Sequence, residues 1–225
     1  MNVLITGTNR GLGKWLSKQF LGCDKLTRET DRSSLKPHYD LIIHSAATVS
    51  HCSWDNAKLS LFEDNVFLTR DMAKIPHKRF VYISSIDQIK NSPYGVTKRI
   101  SEIIVQNICK DYLILRPSSL VGNEMRKNSF QKIVNGEDIE LTPCTVMNYI
   151  LYEDVLNSII ENYSGVKVLR SSENITLKEV AEIFKKKISF GKIRYDAGDI
   201  MTDIDTAKTS RDNLLLYKEI ISAKG

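Results

Sequence analysis

The most constraining feature of this chain lies at its N-terminus. A short apolar run, Val3-Leu4-Ile5, ends at once in Thr6-Gly7-Thr8-Asn9-Arg10-Gly11-Leu12-Gly13. An apolar run this brief, closed by glycine, predicts a strand buried on both faces, as in a parallel sheet. Behind it Leu12, Trp15, Leu16 and Phe20 recur at i, i+3, i+4 and i+8, which predicts an amphipathic helix. Glycines between a strand and a helix let the backbone approach a diphosphate. The helix N-terminus adds unpaired N–H groups and a positive dipole end. A glycine trio alone is weak evidence; its place directly after an N-terminal strand gives it weight.

The alternation continues. Lys25 to Arg28 predicts a brief second strand, and Leu41-Ile42-Ile43 a third, closed by the small residues Ser45-Ala46-Ala47. Phe80-Val81-Tyr82-Ile83 and Tyr112-Leu113-Ile114-Leu115 predict two more. Helical patterns fill 56–74 and 94–109, and the second is expected to bury Val96, Ile100, Ile103 and Ile104. Strands alternating with helices imply right-handed βαβ units, hence an α/β fold of Rossmann type, a doubly wound parallel sheet. The stretch between Arg28 and Asp40 is short, which leaves room for one strand fewer.

The last third reads differently. Glu153 to Glu161 predicts a helix and Val166 to Leu169 a strand. Thr176-Leu177-Lys178-Glu179 is a capping box opening a helix with Leu177, Val180, Ala181 and Phe184 on one face, and a final helix carries Leu214, Leu215 and Ile220. The expected division is a dinucleotide-binding core over residues 1–122, to which 145–170 returns. A small C-terminal substrate lobe is expected from 123–144 and 171–225.

Composition removes several classes. With 225 residues, 42% hydrophobic and 26% charged, the chain is globular rather than disordered. No run approaches eighteen apolar residues, so no membrane span is expected, and the N-terminus lacks the basic region of a signal peptide. Cys23, Cys52, Cys109 and Cys144 form no C-x-x-C pair and predict buried thiols in a reducing cytoplasm. His51 and Cys52 have no further ligands at metal spacing, so no metal is expected. The net charge of +5 tolerates an anionic ligand but is too mild to indicate nucleic acid.

Two further patterns carry chemistry. In a Rossmann unit an acid at the tip of the second strand usually holds the adenosine ribose of NAD. Here that tip reads Leu26-Thr27-Arg28, with Glu29 and Asp31 only nearby. The guanidinium of Arg28, joined by Arg10, suits the 2′-phosphate of NADP instead. Then Tyr94-Gly95-Val96-Thr97-Lys98 opens a helix after Pro93, with Tyr94 and Lys98 one turn apart on the same face. A free phenol titrates near 10, and a neighbouring ammonium lowers that value, which makes Tyr94 a credible general acid/base. The preceding strand ends in Ser84-Ser85, at the carboxyl edge where α/β sheets bind ligands.

In these motifs the chain resembles the short-chain dehydrogenase/reductase superfamily, and more narrowly its extended branch of nucleotide-sugar epimerases, dehydratases and reductases. Thr6 to Gly13 resembles the cofactor loop, with the glycine spacing of the single-domain branch. His44-Ser45-Ala46-Ala47, Asn65-Val66, Val81 to Ser85 and Tyr94 to Lys98 resemble successive family elements. Leu115-Arg116-Pro117 through Gly122, Tyr152-Glu153-Asp154-Val155 and Asp205-Thr206-Ala207-Lys208 resemble the extended branch in particular.

The resemblance implies roles. Tyr94 is the acid/base. Lys98 lowers its pKa and holds the nicotinamide ribose. Ser85 positions the reacting oxygen, and Asn65 supports the lysine through helix geometry and water. Gly7, Thr8, Asn9, Arg10, Gly11, Leu12, Gly13, Arg28, Ser45, Ala46, Ala47, Tyr94, Lys98 and Arg116 face the cofactor. That cofactor is NADP, with NAD as the alternative. The implied partner is a small molecule, a nucleotide sugar, with no nucleic acid and no membrane, and the resemblance admits a homodimer. Dehydratases of the family carry an acidic pair after the serine or threonine, whereas here Ile86 precedes Asp87. The expectation is therefore an NADP-preferring reductase of a nucleotide-linked keto-sugar. An epimerase using the same residues and a non-catalytic NADP-binding regulator are its rivals.

Overall fold

The computed structural model describes residues 1–50, 52–161, 163–195 and 207–223. His51, and the Asp205-Thr206 start of the late D-x-x-K element, lie outside them. β1 (Val3–Thr6) leads through the glycine turn into α1 (Gly11–Gln19), then β2 (Asp24–Leu26) and β3 (Tyr39–His44). A helical stretch follows in three parts: α2 (Leu59–Phe62), a π-helical turn (Glu63–Phe67) and α3 (Leu68–Ala73). β4 (His77–Ile83), α4 (Pro93–Ile108) and β5 (Tyr112–Pro117) come next. Then come β6 (Ser119–Val121), α5 (Ser129–Asn135), β7 (Ile139–Leu141), β8 (Val146–Met147) and β9 (Tyr149–Leu151). α6 (Tyr152–Ile160), β10 (Gly165–Leu169), β11 (Ile175–Thr176), α7 (Leu177–Ile183), β12 (Phe190–Ile193) and α8 (Ser210–Ser222) complete the order.

The main sheet runs β10-β5-β4-β3-β1-β2, and its pairs from β5 to β2 are parallel. The chain moves outward from β1 to β2, then returns to the other side of β1 for β3. That reversal is the topological switch point at which open α/β sheets receive ligands. The first half of the sheet holds two strands, and between Arg28 and Asp40 there is only a 3₁₀ turn, Arg32–Ser34.

The chain divides into two compact units, Met1–Pro117 with Val155–Lys167, and Ser118–Asp154 with Val168–Gly225. In the first unit Leu4, Ile42, Phe80 and Ile114 of the sheet pack with Met72 of α3 and Val105 of α4. One register row crosses the sheet as Leu26, Thr6, His44, Tyr82 and Ile114, so three polar-capable residues stand side by side in its middle. α1 buries Leu12, Trp15 and Leu16 as its periodicity predicts. α4 does not follow its periodicity. Tyr94, Thr97, Lys98, Ser101, Glu102 and Val105 are buried, Val96, Ile100 and Ile104 are half-buried, and Ile103 is 53% exposed. The helix is turned so that its chemically equipped face meets the sheet and its isoleucine stripe faces outward.

The second unit is built on smaller pairings, β6 with β9, β8 with β11 and β7 with β12. Phe130 of α5 sits among the rings of Tyr149, Phe184 and Tyr217, with centroids 5.2, 5.5 and 5.7 Å away. The capping box of α7 forms in both directions between Thr176 and Glu179. The thiols depart from expectation. All four are free of disulfides, but only Cys109, the C-cap of α4, is buried, which pushes its pKa up to about 12; Cys144 is exposed. Among the described residues no helix is long and apolar enough to cross a membrane.

Candidate active site

The glycine turn is tightly constrained. Gly7 and Gly11 have φ of 74° and 65°, in the left-handed region that favours glycine. A Cβ on Gly7 would meet the Ala46 backbone at 2.9 Å, and one on Gly13 would lie 2.5 Å from the Gly7 carbonyl oxygen and 2.7 Å from Ser45 Oγ. Ser45 and Ala46 therefore press directly on the turn, and the sequence leaves no side chain to fill the space. Arg10 is the N-cap of α1 but makes no side-chain cap, and the first turn carries no acid. The opening N–H groups of α1 thus have no side chain of their own competing for them. This cradle fits a dinucleotide diphosphate. Gly7, Thr8, Asn9, Arg10, Gly11, Leu12 and Gly13 are the residues that would hold it, with Ser45, Ala46 and Ala47 as the opposing wall.

Behind the turn lies a hydrogen-bond chain centred on His44. Thr6 Oγ1 accepts from the backbone N–H of Ser45 at 3.1 Å and of Ala46 at 3.0 Å. With both acceptor positions filled, its own proton goes to His44 Nδ1, 2.8 Å away. The ring proton of His44 therefore sits on Nε2 and is donated to Thr69 Oγ1 at 2.9 Å; the Thr69 hydroxyl donates to the Asn65 carbonyl at 2.6 Å. His44 is wholly buried. That burial, with the nearby Lys98 ammonium, pulls its pKa down to about 3. It is a neutral strut between the glycine turn and the helix bearing Asn65.

Asn65 sits in the π-helical turn, 1% exposed. Its amide oxygen accepts the Thr48 N–H at 2.8 Å, and its amide nitrogen donates to Thr48 O and Thr97 Oγ1, each at 3.0 Å. Thr97 in turn donates to the Tyr94 carbonyl at 2.8 Å, so Asn65 steadies the turn of α4 that presents Tyr94. The Thr69 hydroxyl donates to the Asn65 backbone carbonyl at 2.6 Å, and the Ser101 hydroxyl lies between that carbonyl, at 2.7 Å, and the Thr97 carbonyl, at 2.8 Å.

Lys98 is 2% exposed and donates from Nζ to the Ile83 carbonyl at 2.9 Å. Its ammonium lies 4.9 Å from the Tyr82 ring centre and 5.8 Å from that of Tyr94. Both distances are within reach of the cation–π attraction. The His44 ring stacks on the far neighbour of this group, 5.7 Å from Tyr82. Tyr94 itself is 7% exposed.

Ser84 and Ser85 are told apart by their partners. Ser84 Oγ is buried and donates to Glu102 Oε1 at 2.5 Å, whereas Ser85 Oγ accepts the Asp87 N–H at 3.1 Å and keeps its proton to donate. Gly95 brings this segment against α4. A Cβ there would lie 2.4 Å from Asp87 O and 2.5 Å from Lys90 O, so the short connection from Ser85 to Tyr94 closes only over a glycine.

Two expected cofactor residues make ion pairs. Arg116 makes a forked pair with the buried Glu102, Nη2 to Oε2 at 2.6 Å and Nε to Oε1 at 3.1 Å. A buried carboxylate needs such a partner, and Arg116 thereby braces α4 against β5. Arg28 donates to Asp64 at 2.6 Å. Glu29, one residue beyond Arg28, is exposed yet close to the turn. Hydrogen bonds from Thr27, its own backbone and Asn9 hold its carboxyl below the usual range. Glu102 and Asp64 left no motif of their own; only the i, i+4, i+8 spacing of Tyr94, Lys98 and Glu102 hinted at the first of them.

The model of the NAD dependent epimerase/dehydratase family matches residues 3–140. Among solved structures, dTDP-4-dehydrorhamnose reductase from Bacillus anthracis str. Ames, in complex with NADP, is 17% identical, with 98% of this chain and 100% of that chain covered and a TM-score of 0.78. UDP-glucuronic acid 4-epimerase from Bacillus cereus, in complex with UDP-glucuronic acid and NAD, is 16% identical, covers 99% and 100%, and has a TM-score of 0.75. At these identities the likeness is one of fold. No curated protein sequence matches the chain.

Proposed function

The chain belongs to the NAD dependent epimerase/dehydratase family, and from that premise we propose that it is an NADP-preferring oxidoreductase that reduces a keto group on a nucleotide-linked sugar. The observation that carries this reading is the buried face of α4, where Lys98 lies 5.8 Å from the Tyr94 ring beside the strand end that bears Ser85. When bound, the nicotinamide supplies the hydride. Ser85 donates its hydroxyl proton as a hydrogen bond to the substrate oxygen and holds it in place. Tyr94 gives its phenolic proton to that oxygen as negative charge develops there. The ammonium of Lys98 favours the phenolate that remains.

Water elimination is disfavoured by the same segment. Ile86 cannot transfer a proton, and the Asp87 carboxylate is paired with Lys90 at 2.6 Å. The epimerase reading keeps a specific support in Glu29, a carboxylate beside the glycine turn of the kind that holds the ribose of NAD. Incubation with NADPH and a panel of nucleotide keto-sugars, followed by mass spectrometry, tests the proposal. A product heavier by two hydrogens, with matching loss of NADPH absorbance, is expected. An isomer of unchanged mass would put epimerisation in its place, loss of water would refute both, and cofactor binding without turnover on any sugar would favour a regulator.

A further inference from the structure

Two opposite charges follow β2, and they are directed apart. Glu29 lies near Asn9 of the glycine turn, while Arg28 reaches Asp64 in the π-helical turn, Nη2 to Oδ2 at 2.6 Å. The same carboxylate oxygen accepts the Thr48 hydroxyl at 2.5 Å. Arg28 follows β2, whereas Thr48 and Asp64 follow β3, and β1 lies between those strands. The ion pair therefore spans the two sides of the crevice that opens at the carboxyl end of β1, where the glycine turn begins.

We infer that Asp64 sets the cofactor preference, because its carboxylate latches Arg28 and competes with the 2′-phosphate of NADP for that guanidinium. The inference rests on the reading of Arg28 as the phosphate-binding residue. The side chain of Arg28 is 79% exposed and that of Asp64 27%, so the latch is solvated and weak. A phosphate presents more acceptor oxygens in a geometry that suits the guanidinium fork, so NADP draws Arg28 away from Asp64. The exchange has a cost, since the pair is broken and a carboxylate stays near the phosphate. NAD carries no group for the exchange and meets Arg28 still latched, with Glu29 beside the turn. Thr48 keeps Asp64 in place when Arg28 leaves. Asp64 thus holds the NADP preference below what Arg28 alone would give.

Fluorescence titration with NADPH and with NADH, on the parent chain, Asp64→Asn, Arg28→Ala and the double variant, tests this. Asparagine keeps an oxygen for the Thr48 hydroxyl and removes only the charge. Asp64→Asn should tighten NADPH by roughly three- to tenfold and change NADH by less than about twofold. Arg28→Ala should weaken NADPH by about ten- to a hundredfold, and in its presence the gain from Asp64→Asn should shrink below about twofold. If Arg28→Ala leaves NADPH binding unchanged, the phosphate reading of Arg28 is lost and the latch with it. If Arg28→Ala weakens NADPH but Asp64→Asn gives no gain, or the same gain without Arg28, the latch alone is overturned.

Discussion

α1 and α4 belong to the same unit and both begin beside a glycine that backbone crowds closely, yet their inward faces are opposites. α1 buries Leu12, Trp15 and Leu16, while α4 buries a tyrosine, a threonine, a lysine, a serine and a glutamate in succession. Each polar group on α4 has a partner that offsets its desolvation. Lys98 has the Ile83 carbonyl, Glu102 has Ser84 and Arg116, Ser101 has Asn65, and Thr97 has Asn65 and the Tyr94 carbonyl. A helix can turn an apolar stripe outward when such a network replaces hydrophobic burial, and a helix without one cannot. The contrast separates a helix that holds the sheet from one that equips it.

The largest test of that contrast is chemical. Tyr94→Phe keeps the ring in its buried place and removes only the ionisable oxygen. Turnover with the reducible sugar should fall by roughly 10²–10⁴, with the thermal midpoint and NADPH binding nearly unchanged. A variant keeping more than about a tenth of parental turnover would show that α4 buries its polar face for reasons other than acid/base work.

Much of this was legible in the residues. The glycine turn, the parallel sheet implied by alternating apolar runs, the lost strand after Arg28 and the placing of Tyr94 and Lys98 one turn apart all follow from short-range patterns. The facing of α4 was not legible, because hydrophobic periodicity weighs Ile100, Ile103 and Ile104 and has no term for a satisfied Lys98 or Glu102. Nor were the partners of Arg28 and Arg116. Each is an ion pair across elements distant in sequence, 36 residues to Asp64 and 14 to Glu102, and charge alone does not say which carboxylate an arginine will meet. What His44 links was not legible either, because it depends on the two contacts of its ring with Thr6 and Thr69.

A second test reaches the polar row beneath α4. His44 is neutral in the folded chain, with its pKa pulled from the usual 6.5 to about 3, first by burial and then by Lys98. The unfolded chain binds a proton there below about pH 6.5, and the folded chain does not until about pH 3. Its stability is therefore fully present above the unfolded value and falls as the pH drops through that window. The loss should be on the order of 3 kcal/mol by pH 4 and on the order of 5 kcal/mol by the bottom of the window. His44→Gln keeps a donor for Thr69 and has no proton to gain. Urea unfolding from pH 7 to pH 4 should show a shallower decline for the variant than for the parent. Equal slopes would mean that the imidazole is hydrated or charged when folded, and the proton placement on Nε2 would fail with it.

The smallest expected effect lies on the outward stripe of α4, and it needs α1 as its measure. Leu16 is fully buried, and Leu16→Ala should cost about 2.7–5 kcal/mol through lost transfer energy and a residual cavity. Ile103 sits at the same kind of apolar position by sequence, but it is 53% exposed. Ile103→Ala forfeits little burial and gains helix propensity, since the β-branched side chain is stiff in a helix. The two terms nearly cancel, and the variant should unfold within about 0.5 kcal/mol of the parent. Denaturant melts at two protein concentrations, tenfold apart, make the comparison complete. If Ile103→Ala instead loses more than about 2 kcal/mol, with a midpoint that rises with concentration, the stripe is covered by a second copy of the chain. In that event α4 would be apolar-buried on one side and polar-buried on the other, and its difference from α1 would be one of partners rather than of facing.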